Sequence, residues 1–225
     1  MCGRFTCLYS WDDIRALLGL EWTELHDWPP SYNVAPTQTV PVVVSNAEHR
    51  PGLKAMTWGF PPARAKGASL INARSETLRS KPTFREAFNH RRCLVPTSGF
   101  YEWQRTTSSR KQPWSITPQE TPILLLAGIY RVDEGGGRFV VVTAPAEGKM
   151  AEIHHRAPVM LEPDAARTWL DREPDRAAAI LQSVSPPGLT FTPISTRINS
   201  VTNNDPSLIE PIRYDPNDQP GLFTS

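Results

Sequence analysis

The sequence predicts an α+β fold: a single domain with a mostly antiparallel β core, barrel-like or built from two packed sheets, and short peripheral helices. Three observations carry that expectation. The 225 residues include 23 prolines, which cut the chain into pieces too short for long helices. Several runs are apolar, rich in β-branched residues and bounded by turn residues, as half-buried strands are. An apolar content of 39% and a mean hydropathy of −0.39 suit a soluble domain with a substantial core. No internal repeat or linker divides the chain, so residues 1–225 read as one domain.

The elements follow in order. Ser10 ahead of Trp11-Asp12-Asp13 has the form of an N-cap with an acidic first turn. Ile14, Leu17 and Leu18 then supply an apolar stripe that ends at Gly19, predicting a helix over 11–18. Residues 23–38 read as an ordered loop. Residues 40–44 and 54–58 read as hairpin strands joined around 46–52. A short helix is expected over 83–89, with Phe84 and Phe88 on one face. Residues 93–96 and 99–103 are β-like, and the polar, basic stretch 104–113 reads as an exposed loop. Residues 123–130 and 139–143 are strong strand signals, joined by the turn Asp133-Glu134-Gly135-Gly136-Gly137. Residues 158–161 form another strand, and 163–171 and 175–182 two helices with Trp169 and Leu170 turned inward. The tail beyond Ser200 is rich in Asn, Asp and Pro, and an irregular course is expected beyond about residue 204.

Composition also bounds function. No run of about 18 apolar residues is present, so no membrane span is expected. The N-terminus lacks the basic and apolar regions of a signal peptide. Three cysteines, Cys2, Cys7 and Cys93, make neither a disulfide framework nor a CxxC metal pattern. A reducing, cytoplasmic location is expected, nucleoid-associated if the chain is bacterial, with no metal and no cofactor. The net charge is only +1, but ten Lys or Arg lie between Arg50 and Arg92 against Glu76 and Glu86. Trp58, Phe60, Phe84 and Phe88 are interleaved with them. Basic groups track a phosphate backbone and aromatics stack on bases, so this segment reads as a polyanion-binding face.

Cys2 is the most informative residue. Cysteine is small enough to permit removal of the preceding Met1. The chain would then begin with an α-amine (pKa about 7.7–8.0) beside a thiol (about 8.5). A 1,2-aminothiol captures aldehydes: the amine condenses and the thiol closes a thiazolidine. The alternative is a small apolar residue packed in a strand.

Four segments join polar groups to apolar strand ends: Cys2-Gly3-Arg4-Phe5; Ile71-Asn72-Ala73-Arg74-Ser75-Glu76; the run from Arg92 to Trp103, with Gly99-Phe100-Tyr101-Glu102-Trp103; and Ile153-His154-His155-Arg156-Ala157-Pro158. With Tyr32-Asn33-Val34-Ala35-Pro36-Thr37 and Thr57-Trp58-Gly59-Phe60, these resemble the SOS-response-associated peptidase (SRAP) family, in order from Cys2 to about Asn204. The resemblance implies a sensor and shield of abasic sites in single-stranded DNA. Its product would be a thiazolidine crosslink between Cys2 and the ring-opened sugar. A monomer is expected, with replication-fork proteins as candidate partners.

The resemblance also assigns residues. Cys2 is the nucleophile through amine and thiol. Asn72 orients the amine or a sugar hydroxyl. Glu102, a carboxylate among large aromatics, has the raised pKa of a general acid. His154 shuttles protons. Arg4, Arg74 and Arg156 hold phosphates, and Asn33, Pro36, Trp58 and Phe60 line the DNA channel, the last three as a wedge or stacking platform. His155 occupies a variable position, and in an extended segment it would face away from His154. Ala157 stands where the family usually has Met. AP-lyase activity, a thiol autopeptidase acting on Met1-Cys2, and a non-covalent single-stranded DNA-binding module stay open beside this reading.

Overall fold

The computed structural model describes residues 2–25, 27–62, 67–106, 111–171 and 173–214. In chain order the elements are β1 (Phe5–Cys7), α1 (Trp11–Leu18), β2 (Trp22–Thr23), β3 (Ser31–Val34), β4 (Thr39–Ser45), β5 (Pro51–Trp58) and β6 (Asn72–Arg74). Next come α2 (Pro82–His90), β7 (Arg92–Thr97), β8 (Gly99–Arg105), β9 (Lys111–Pro118), β10 (Leu124–Asp133), β11 (Gly136–Pro145) and α3 (Gly148–Ile153). The last are β12 (Arg156–Pro158), β13 (Met160–Leu161), α4 (Pro163–Leu170), α5 (Pro174–Ser183) and β14 (Leu189–Pro193).

Local chemistry accounts for the helices. Ser10 accepts from the Asp13 N–H while Asp13 returns a bond to the Ser10 backbone, and Gly19 ends α1 in the left-handed region (φ 66). Helices α2, α4 and α5 each begin at a proline, whose missing N–H costs nothing in a first turn. Three prolines thus start helices, whereas the expectation was only that prolines exclude long ones.

The strands form two sheets. The five-stranded sheet runs β14-β9-β8-β1-β3. The larger sheet runs β12-β11-β10-β7-β4-β5-β2 and curls until β11 pairs in parallel with β5, through Phe139 and Trp58. A closed, barrel-like ring results, which removes the free edges of the strands it joins. Most other pairings are antiparallel, as expected.

Two expectations for loops are corrected. Residues 31–34 form β3, which pairs with β1 across Phe5 and Val34. Residues 104–105 and 111–113 extend the hairpin of β8 and β9, in register from Phe100↔Ile116 to Arg105↔Lys111. Polar side chains hid these strands: Asn33 of β3 is buried through hydrogen bonds to the tail, while Arg105 and Lys111 on the hairpin are exposed. The expected strand at 158–161 is two short ones with a break at Val159, β12 on β11 and β13 on β10. The described part of the tail, residues 201–214, has little regular structure, yet it is packed: Leu208 is buried with Tyr101, Ile194 and Ile198, and Ile194 bridges to Pro211.

The chain changes sheets between Thr97 and Gly99. The Thr97 hydroxyl donates to Thr6 O (2.6 Å), and the Ser98 hydroxyl accepts from the Leu8 N–H (3.1 Å). A Cβ on Gly99 would stand 2.8 Å from Ile116 O, so only glycine lets β8 start against β9. Trp58 and Phe5 fill the space between the sheets, both with 0% exposure and ring centroids 4.9 Å apart. Replacing Trp58 by Ala should therefore cost about 3–5 kcal/mol of stability. The readout is a lower urea midpoint at an unchanged slope. An unchanged midpoint would mean that the indole is not a core group.

Candidate active site

Four elements from different parts of the chain bring the predicted catalytic residues together. Cys2 precedes β1, whose register pairs Phe5 with Phe100 of β8. The Tyr101 N–H donates to Arg4 O (3.0 Å), and that register, continued, runs Cys2 and Gly3 past Glu102. On β8, alternation puts Phe100 and Glu102 on one face and Tyr101 and Trp103 on the other. Phe100 belongs to the main core and Tyr101 to the cluster under the tail, so β8 is covered on both faces. Glu102 is buried for that reason, at 2% exposure.

Asn72 opens β6, which lies parallel to β11 opposite Val141. Its Nδ2 donates to Cys2 O (2.9 Å). Its Oδ1 is buried with no hydrogen-bond partner among the described residues. Such an acceptor is costly to leave unmade and suits a donor that arrives with a substrate. His154 follows α3 as its C-cap, and Gln104 of β8 donates to Glu152 O (3.2 Å), holding the end of α3 against the sheet. His154 Nδ1 accepts from the Arg156 N–H (3.0 Å) and lies 4.0 Å from Glu102 Oε1.

The electrostatics follow from burial. The Cys2 thiol is fully buried, which raises its pKa well above the ordinary thiol range, and the Glu102 charge adds to the effect. Burial likewise pushes the Glu102 carboxyl up. Burial lowers His154, and the charges of Lys111 and Arg105 act in the same direction. In each case burial acts against the charged form of the thiol, the carboxyl or the imidazole. Cys7 and Cys93 are buried elsewhere, with Cys7 pushed up to about 11.

The predicted DNA-facing residues divide. Arg74 is exposed and Pro36 half-buried. Pro36 sits on a tight turn in which Thr37, a β-branched residue, is held at φ 76 by its N–H bond to Trp58 O (2.9 Å). Trp58 and Phe60 are fully buried and offer no stacking surface in this structure. The Trp58 indole donates to Ile71 O (2.9 Å), directly before Asn72, so it braces the site from within.

Arg156 and Asn33 are also turned inward. Arg156 is buried and bidentate to Glu76, with Nη2 to Oε2 at 2.9 Å, and also donates to Thr143 O. Asn33 accepts from Arg4 Nη1 (2.7 Å) and donates to Ser200 O (2.9 Å) and Asn203 O (2.8 Å). Arg4 further donates to Ile198 O (3.0 Å) and Asn199 O (3.2 Å). These groups fix the N-terminal segment and the tail around the site. Glu76 closes the Ile71–Glu76 motif, and its distance in sequence from Arg156 gives no sign that the two pair.

The basic segment is less continuous than its linear count implies. Arg50 pairs with Glu21 (3.8 Å) and Glu48 (3.6 Å), Lys54 with Glu24 (3.0 Å), Arg79 with Asp175 (2.8 Å) and Arg91 with Glu86 (3.2 Å). Most of those acids come from outside the segment. Arg92 is buried and caps α2 through Phe88 O (2.5 Å) and Asn89 O (3.1 Å). Arg64 and Lys66 lie outside the described residues. Arg74, Lys81 and Arg85 stay exposed, and exposed Arg105 and Lys111, opposite each other on the β8–β9 hairpin, add charge near His154.

Rings His154 and His155 lie together, centroids 4.3 Å apart and tilted by 32°. The expectation that neighbours point to opposite faces fails here. His154 ends a helix and His155 sits in the bend before β12, so the strand alternation has not begun.

Comparisons with known proteins give the family of the chain. The profile of the family described as SOS response associated peptidase (SRAP) matches residues 1–201. Abasic site processing protein YoqW of Bacillus subtilis is 34% identical, over 93% of this chain and 99% of that protein. Abasic site processing protein YedK of Escherichia coli is 32% identical, over 94% of this chain and all of that protein. HMCES of Xenopus tropicalis, also named an abasic site processing protein, is 30% identical over all of this chain and 82% of its own. A crystal structure of a protein from Bacteroides thetaiotaomicron superposes with TM-score 0.77 at 22% identity, covering 94% of this chain and 100% of that one. Fold and sequence agree along nearly the whole length: the chain belongs to the SOS response associated peptidase (SRAP) family.

Proposed function

We propose that the chain processes abasic sites in single-stranded DNA by capturing the open-chain aldehyde on Cys2 after Met1 is removed. The observation that carries this reading is the convergence of Cys2, Asn72, Glu102 and His154 from four separate segments. The relatives named abasic site processing proteins give the substrate class.

Removal of Met1 converts the Cys2 amide nitrogen into a primary amine. That amine adds to C1′ of the ring-opened sugar and gives a carbinolamine. Loss of hydroxide as water leaves an imine, and the departing oxygen needs a proton. Glu102, whose carboxyl burial pushes up from the usual range, is suited to give it. The thiol then adds to the imine carbon, the C–S bond forms, and the thiol proton passes through the carboxylate to the ring nitrogen. The net reaction is aldehyde plus aminothiol to thiazolidine plus water. Asn72 Oδ1 is free to accept from the amine or a sugar hydroxyl. Exposed Arg74, with Arg105 and Lys111, is suited to flanking phosphates.

Burial favours this route over a thiol peptidase. A cysteine peptidase attacks as a thiolate, and the raised pKa of Cys2 keeps the thiolate scarce. Imine capture begins at the amine and needs no standing thiolate. Whether β-elimination competes with ring closure depends on the same imine, since both paths leave from it.

Mature protein mixed with a single-stranded oligonucleotide carrying one abasic site should give a heat-stable shifted band on a denaturing gel. Cys2→Ala and a chain retaining Met1 should give none. No band from the mature protein would end the crosslinking proposal.

Glu102→Gln separates chemistry from stability. A carboxyl whose folded pKa is raised is harder to ionise folded than unfolded. The wild type therefore loses stability as pH rises from the ordinary carboxyl range through the raised folded value. Gln carries no such penalty. The variant should crosslink at least about tenfold more slowly while its melting temperature, relative to wild type, improves from pH 4 to pH 8. Equal rates, or a variant that melts lower at every pH, would contradict the assignment.

A further inference from the structure

His155 is exposed, its ring lies against that of His154, and no step above uses it. We propose that His155 is a positioning residue of the same site: the two adjoining imidazoles share one proton, and His155 sets how readily His154 takes it. This inference rests on the abasic-site reading for its consequence, though not for its physics.

The geometry supplies the coupling. Ring centroids 4.3 Å apart put two positive charges in direct contact if both rings are protonated. A like charge so close opposes the second proton. The surrounding groups push the same way. The charge of His154 is the largest influence disfavouring a proton on His155, and the charges of Arg156, at the start of β12, and Arg74, at the end of β6, act in the same direction. Lys111, at the start of β9, and Arg105, at the end of β8, act on His154. Glu102, in the middle of β8, opposes them, with its Oε1 4.0 Å from His154 Nδ1. Burial already disfavours charge on His154, whereas His155 meets solvent.

The exposed ring is thus the entry point for a proton. While His155 holds it, His154 stays neutral and able to accept beside Glu102. When His155 releases it, His154 can be charged and donate. Ring contact also limits rotation of His154, whose Nδ1 is held by the Arg156 N–H.

His155→Phe keeps a flat ring against His154 and removes the charge, and His155→Gln removes the ring as well. Histidine ring NMR titrations, with His154 assigned, read the coupling directly in the absence of DNA. In both variants His154 should bind its proton about three- to fivefold more tightly than in wild type, the scale of one neighbouring charge in a watery setting. The acid limb of the crosslinking rate should move to higher pH by the same factor, with the final yield unchanged. An unaltered His154 titration in His155→Phe overturns the inference, whatever the crosslinking result. A shifted titration in a protein that never crosslinks supports the coupling and overturns the proposed function instead.

Discussion

One hydrogen bond organises the site: Asn72 Nδ2 to the carbonyl of Cys2, 2.9 Å. Asn72 belongs to a strand of the larger sheet and Cys2 leads into a strand of the smaller one. The bond therefore ties the two sheets at the point where the chain begins. An N-terminus is normally the least ordered part of a domain. Here the second residue is fully buried, and the proposed nucleophile, an α-amine beside its own thiol, needs such a fixed position.

Most of the surrounding structure holds that bond in place. Trp58 braces Ile71 ahead of Asn72. Arg4 and Asn33 bind the first residues to the carbonyls of the tail. Arg156, joined to Glu76, ties the strand after His154 to the turn after Asn72. Thr97 and Gly99 launch β8 so that Glu102 enters the core face. Arg156 is buried while Glu76 is exposed, so losing Glu76 would strand the guanidinium, which is why Arg156 is worth more as an anchor than as a surface cation.

The reading of the sequence was strongest where chemistry is local. The capping box at Ser10 and Asp13, the proline-led helices and the strands of pure apolar character were all visible as patterns. Cys2, Asn72, Glu102 and His154 were each visible as members of short motifs. What sequence could not show was direction. Trp58, Phe60, Asn33 and Arg156 were expected to face DNA and instead face inward, because a side chain's orientation depends on which sheets close around it. The +8 segment looked like one surface because its counterions, Glu21, Glu24, Glu48 and Asp175, come from elsewhere in the chain. Residues 31–34 and 111–113 looked like loops because their partners, β1 and β8, are what make them strands. The contact between His154 and His155 depends on where α3 stops, which is legible only to within a residue or two.

The account stands on the α-amine and thiol of Cys2 acting together. Its most direct test is intact-mass and peptide analysis of the mature protein after incubation with an abasic oligonucleotide digested down to the sugar. The predicted adduct is one sugar less one water, confined to the N-terminal peptide, stable without borohydride and carrying no free thiol at Cys2. An adduct on a lysine, or one at Cys2 that survives only after borohydride reduction, would contradict it.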